Sequence, residues 1–255
     1  MPTSKLNMFK QLYLKDLHEV TTEITVVVGL AAAVFLFIWL KNSSIDSTYA
    51  LLALPIAVIM VLAGLMPVVS SFKLLTREWS QNTVYLIMSL PVSAIMIVLS
   101  KMAVLLTQYL LGTILAAICA LAFIYNIPQG QDLLVYHPEV FSYAGALYIL
   151  LLTGVLYLCA GSLLAQIIGK LVKKYSALVT LAAFVVIVYV AGKVMDYMGY
   201  LFNVSRDYFV NLQSAAMGMN QSALVNMAAC SVTYVIISLV LIGLAALILN
   251  RRVEL

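Results

Sequence analysis

"TREWSQNTVYLIMSLPVSAIMIVLSK", residues Thr76 to Lys101, decides how this chain is divided. Arg77 and Lys101 flank it, Glu78 and Trp79 open it, and Val84, Tyr85 and Ile87 form a short apolar run. Pro91 then stands between Ser89 and Ser93, and hydrocarbon resumes. The stretch is a small punctuated polar element between two long apolar segments, and the remaining spans can be counted outward from it.

The chain is 64% hydrophobic and only 9% charged, far more apolar than soluble domains, where about half of the residues are apolar. A helix crossing a bilayer needs about 20 mostly apolar residues, with a range of about 17–25. Six segments qualify: Ile24–Leu40, Tyr49–Phe72, Ala94–Tyr125, Val140–Ile168, Ser176–Gly192 and Met227–Leu249. Apart from Lys101, counted with the loop before it, none holds Asp, Glu, Lys or Arg between those limits. At mid-membrane each such residue would cost about 2.5–3.5 kcal/mol. The pattern predicts an all-α, polytopic membrane protein with six transmembrane helices.

No cleaved signal peptide is expected, because "LAAAVFLFIWL" continues past its alanines instead of ending at a cleavage site. Cys119, Cys159 and Cys230 fall in or at the edge of spans, which favours small core residues over a disulfide framework.

Lys and Arg orient the spans. Eleven of the 14 (Lys5, Lys10, Lys15, Lys73, Arg77, Lys101, Lys170, Lys173, Lys174, Arg251 and Arg252) fall on one side, and Lys41, Lys193 and Arg206 on the other. Acidic residues divide evenly, so the bias belongs to the cations, as the positive-inside rule requires. Both termini are expected in the cytoplasm, and the net charge of +4 needs no nucleic-acid partner. Residues 1–23 read as a cytoplasmic amphipathic interfacial helix and 24–255 as the six-span domain. Leu6, Phe9, Tyr13, Leu17 and Val20 share one helical face, with Lys5, Lys10, Lys15, Asp16 and Glu19 largely elsewhere.

The last outside segment, Lys193–Asn226, mixes aromatics, Met and small polar residues. That composition suggests a re-entrant or extracellular helical segment before the last span. Small residues recur at helical spacing, Gly112, Ala116 and Ala120 in span 3 and Gly161, Ala165 and Gly169 in span 4, and let helices approach closely. Pro55 and Pro67 imply local kinks in span 2.

Catalytic signatures are absent. Neither His18 nor His137 begins an HExxH, the cysteines lack metal-ligand spacing, and no GxSxG occurs. Gly169-Lys170 approaches a phosphate-binding loop, but Leu164 and Leu171 occupy required Gly and Ser/Thr positions. No enzyme, metal or cofactor is expected in this chain, and any ATP and Mg²⁺ belong to a partner. No span carries an ionisable group near its middle, which weakens ion-coupled transport.

The opening stretch places a short helix, Thr83–Met88, on the cytoplasmic side. Pro91 ends it, since the residue before a proline disfavours helical geometry, and Ser93 is positioned as the N-cap of span 3. Arg77, Glu78, Thr83, Ser89, Leu90, Pro91, Val92, Ser93 and Lys101 together resemble the second intracellular loop of the membrane subunits of type-2 ATP-binding-cassette (ABC) exporters. Asn82 stands where that family often has Gly, and Asn tolerates left-handed backbone.

The resemblance implies a permease with a cytoplasmic coupling helix that docks on an ABC ATPase, through Val84 and Ile87 among the residues above. It further implies two permease subunits, homo- or heterodimeric, with two ATPases in a cell membrane, and a central path along spans 2 and 5. Met60, Met66, Thr180, Phe184 and Tyr189 are then candidates for that path, though ordinary packing would place the same residue types there. The rival reading is a non-transporting immunity or sensor protein that sequesters a toxic peptide through its outer loop. Such a protein has no need of a proline-bounded cytoplasmic knob.

Overall fold

The computed structural model describes residues 5–41, 49–80, 93–126, 139–172, 175–201 and 221–253. They form six helices: α1 (Lys5–Lys41), α2 (Tyr49–Ser80), α3 (Ala94–Asn126), α4 (Glu139–Gly169), α5 (Ser176–Leu201) and α6 (Gln221–Val253). No strand occurs among the described residues. Each helix is long and apolar enough to cross a membrane, over Leu6–Phe37, Ala57–Trp79, Ala94–Leu121, Ser142–Gly169, Ser176–Met198 and Asn226–Asn250. The described residues are therefore helical throughout their regular structure, and six such helices mark a multi-pass membrane protein.

Lipid tails are as apolar as leucine, so close packing and polar contacts hold such helices together. α1 packs on α2 and α3, α2 also on α3 and α4, and α4 also on α5 and α6, while α3 reaches α6. The main core joins Leu74 and Leu75 of α2, Val104 and Leu105 of α3, Leu163 and Ile167 of α4, and Ala245 of α6. Small residues set the closest approaches. A Cβ on Gly112 would lie 2.8 Å from the Ala63 Cβ, and one on Gly169 would lie 2.9 Å from the Thr180 Cβ and 3.0 Å from the Ser176 carbonyl oxygen. The ladders at Gly112 and Gly169 are thus helix-packing seams.

Two sequence expectations change in detail. Most of α5 faces outward, and Lys193–Leu201 continues that helix instead of belonging to a separate outside segment. α6 likewise begins at Gln221, and residues 202–220, the heart of the expected re-entrant segment, lie outside the described residues. α1 is one unbroken helix through residue 23, and Leu12, Asp16, Val20, Val27 and Ala31 are all buried along it. Asp16 therefore belongs to the packed face, not to the polar face, because Lys101 and Ser100 of α3 meet it there.

Candidate functional site

Glu78 lies in the last turn of α2 and Lys101 in the second turn of α3. The two helices are antiparallel, so these residues come to the same depth although residues 79–100 separate them in the chain. Lys101 Nζ is 2.8 Å from Glu78 Oε1, and Lys15 Nζ of α1 donates to that same oxygen at 2.7 Å. Asp16 of α1 closes the circuit. Its Oδ1 and Oδ2 each stand 3.5 Å from Lys101 Nζ, and Ser100 Oγ donates to Oδ2 at 3.4 Å. Lys15 Nζ is 3.8 Å from both Asp16 and Glu19. Lys15, Glu78, Lys101 and Asp16 thus form a ring of alternating sign.

Burial makes this ring consequential. Lys101 and Asp16 are each only 1% exposed and Glu78 3%, while the Lys15 side chain is 38% exposed and forms the open edge. Charges out of water are tolerated only when paired and hydrogen-bonded, and such a cluster does more to fix which elements meet than to add net stability. Here it ties the first half of α1 to the end of α2 and the start of α3.

The electrostatic contact continues along α1 and α2. Lys73 pairs with Glu23, and Glu19, Glu23, Ser70, Lys73 and Arg77 line a narrow cleft between the two helices. α1 brings Lys15, Asp16, Glu19 and Glu23, while α2 and α3 bring Lys73, Arg77, Glu78 and Lys101. The four cations and four anions cancel formally, with the acidic excess on α1 facing the basic excess opposite.

A neutral polar layer lies deeper. Gln108 Nε2 of α3 donates to Ser70 Oγ at 3.0 Å. Gln166 Nε2 of α4 donates to the carbonyl oxygens of Ser71, at 2.9 Å, and Ser162, at 3.2 Å. The Ser71 and Ser162 hydroxyls also meet directly. α2 is thereby gripped from both sides at Ser70–Ser71.

Of the residues singled out in the sequence, Glu78 and Lys101 come together, whereas Arg77 is exposed beside them. The Ser93 carbonyl accepts the N–H of Met96 at 2.9 Å and of Ile97 at 3.3 Å, as an N-cap residue does. Thr83, Val84, Ile87, Ser89, Leu90 and Pro91 lie outside the described residues. Among the path candidates, Phe184 packs edge-on against Phe72 with ring centroids 5.2 Å apart. Thr180 Oγ1 donates to the Ser176 carbonyl at 2.8 Å. Met66 is half-buried, while Met60 and Tyr189 are exposed, the latter with Lys193 Nζ 5.8 Å from its ring centroid.

Sequence reasoning missed the part played by Lys15 and Asp16. Helical phase connects them to the span only once the fold is known: Asp16 and Val20 lie 11 residues, about three turns, before Val27 and Ala31, whose burial the sequence does not show. No group of three or more His, Cys, Asp or Glu that could hold a metal occurs among the described residues. The charged groups of the cluster are engaged with one another across three helices. No family model, curated protein or solved structure matches the chain.

Proposed function

We propose that this chain is the permease subunit of an ABC exporter, a non-catalytic membrane subunit driven by ATP hydrolysis on a separate ATPase. The observation that carries the reading is the buried Glu78–Lys101 pair at 2.8 Å. These two residues bracket the proline-bounded segment that resembles the exporters' coupling loop. A knob that receives force needs its two ends held together, and a paired, buried Glu and Lys on adjoining helices do that. On this reading two such subunits, alike or different, assemble with two ATPases in a bacterial cell membrane, with both termini and the Thr83–Met88 helix in the cytoplasm. ATPase closure pulls on that helix and rocks the spans between inward- and outward-open states.

The test is Val84→Asp, expressed with the ATPase that co-purifies with the unaltered subunit in mild detergent. A charge left unpaired in the docking contact costs about 2–5 kcal/mol, and the site lies outside the apolar windows. The expected result is normal membrane yield with co-purification and substrate-stimulated hydrolysis lost. Unchanged co-purification and transport would sink the docking assignment, and the absence of any ATPase partner would favour the sequestering reading.

A further inference from the structure

We propose that Asp16 of α1 is a positioning residue for the coupling segment, acting through Lys101 and Glu78, so that the first half of α1 is a third strut of the element that meets the ATPase. The inference rests on the exporter reading for its purpose, but its structural content stands on the ion ring alone. Residues 81–93 join the end of α2 at Ser80 to the start of α3 at Ala94, so their two attachment points move with the relative position of those helix ends. Across α2 and α3 the Glu78–Lys101 pair is a single contact that one side chain's rotation can release.

α1 removes that freedom. Lys15 holds the same Glu78 oxygen, and Asp16 holds the same Lys101 ammonium, so within the ring each of the four charged groups has two partners of opposite sign, and Lys15 meets Glu19 as well. Asp16 carries the larger share because it is buried and lies 3.4 Å from Ser100 Oγ, whose single proton goes either to that carboxylate or to the Ile97 carbonyl, 2.9 Å away in the first turn of α3. The carboxylate therefore reaches Lys101 directly and the beginning of α3 through Ser100. No other carboxylate of α1 contacts Lys101 among the described residues. A displacement of the coupling segment is thus passed to α1, and a displaced α1 resets the segment.

The experiment reads the helix ends themselves. Nitroxide labels are placed at Thr76 and Ile95, both exposed, in a cysteine-free full-length background reconstituted in lipid nanodiscs. A second pair at Val61 and Ile114, also exposed, reports the far halves of the same two helices. With Asp16 present, both pairs should give one narrow distance distribution. Asp16→Asn should abolish the narrow peak at 76/95 and leave 61/114 unchanged, and Asp16→Glu should restore it. A merely structural role would broaden both pairs together. If Asp16→Asn yields no folded protein, Lys15→Gln opens the same ring from its half-exposed edge and should broaden 76/95 alone. An unchanged 76/95 distribution in either folded variant, or equal broadening of both pairs, overturns the proposal. Failure of the unaltered subunit to engage any ATPase would remove the exporter reading while the label distances still decide the role of Asp16.

Discussion

Lys101 is a cation placed seven residues into an apolar helix, and it is tolerated because Asp16 and Glu78 meet it there. Lys101→Met leaves those two buried carboxylates with the half-exposed Lys15 as their remaining partner in the ring. Breaking one side of a buried ion cluster costs about 3–5 kcal/mol. Lys73→Gln also deletes an ion pair, with Glu23, but the Lys73 side chain is 51% exposed, and solvent-exposed pairs contribute about 0–1 kcal/mol. Thermal unfolding of the two variants in detergent should therefore show a large loss for Lys101→Met and a small one for Lys73→Gln; equal losses would contradict the burial argument. The same cluster shows how far side chains are legible. Glu78 and Lys101 stand out in sequence through the resemblance to the exporter loop, but their pairing does not: Arg77 or Lys73 is the nearer expectation for Glu78, and only the fold brings Lys101 and Lys15 to it. Asp16 does not stand out, since among Lys15, Glu19 and Glu23 it reads as one more charge on a solvated face. Its burial depends on cations that another part of the chain supplies.

α1 runs unbroken over Lys5–Lys41, 37 residues, or about 56 Å at 1.5 Å per residue, against a hydrocarbon core of about 30 Å. Its continuity was legible in sequence, because nothing between Val20 and Ile24 breaks a helix. Which face of its first half is buried was not, because the packed stripe passes through a carboxylate. Continuity is what lets the bilayer-spanning half hold Lys15 and Asp16 in register with α2 and α3. Thr22 is exposed, so Thr22→Pro disrupts the helix with little loss of packing. The missing N–H and the clash with the preceding turn cost about 3 kcal/mol, and thermal stability should fall by a corresponding amount while Thr22→Ala stays near the unaltered protein. If the proline variant is as stable, the two halves of α1 are not one mechanical element. A second element-scale prediction concerns α2 against α3. Gly112 leaves no room for a Cβ, because Ala63 presents both its Cβ at 2.8 Å and its backbone Cα at 3.3 Å. Gly112→Val must push the helices apart, at about 1–3 kcal/mol for an overpacked contact. Gly154 has nothing within 4 Å of its added Cβ, so Gly154→Ala should be tolerated, and the same melting measurement separates the two. The small-residue spacing was visible in sequence, whereas the partner residue required the fold.

For the molecule as a whole, six crossings by the six described helices would return the chain to the side on which it began, and the distribution of Lys and Arg is expected to select that side. Hydropathy was sufficient to read six spans, because a bilayer demands long uninterrupted apolar helices. The segments between them fall largely outside the described residues, and their composition constrains geometry more weakly than that of a span. The ion ring also bears on the orientation argument. Lys15, Lys73 and Lys101 face carboxylates across helix contacts, so part of the basic excess serves packing. Setting those three aside still leaves eight of the eleven cations on that side, against Lys41, Lys193 and Arg206 on the other. Acidic residues carry little weight in setting orientation, so the bias should hold and both termini should lie in the cytoplasm. Single cysteines in a cysteine-free background, probed with a membrane-impermeant maleimide on intact cells, decide the matter. Lys101 is buried and would be silent from either side, so Thr76, which is exposed at the same end of the bundle, takes its place. Asp132→Cys and Arg206→Cys should label in intact cells, whereas Thr76→Cys and Lys173→Cys should label only after the membrane is opened. Labelling of Lys173→Cys from outside would place the α4–α5 connection on the wrong face and overturn the proposed orientation, together with the cytoplasmic position of the coupling segment.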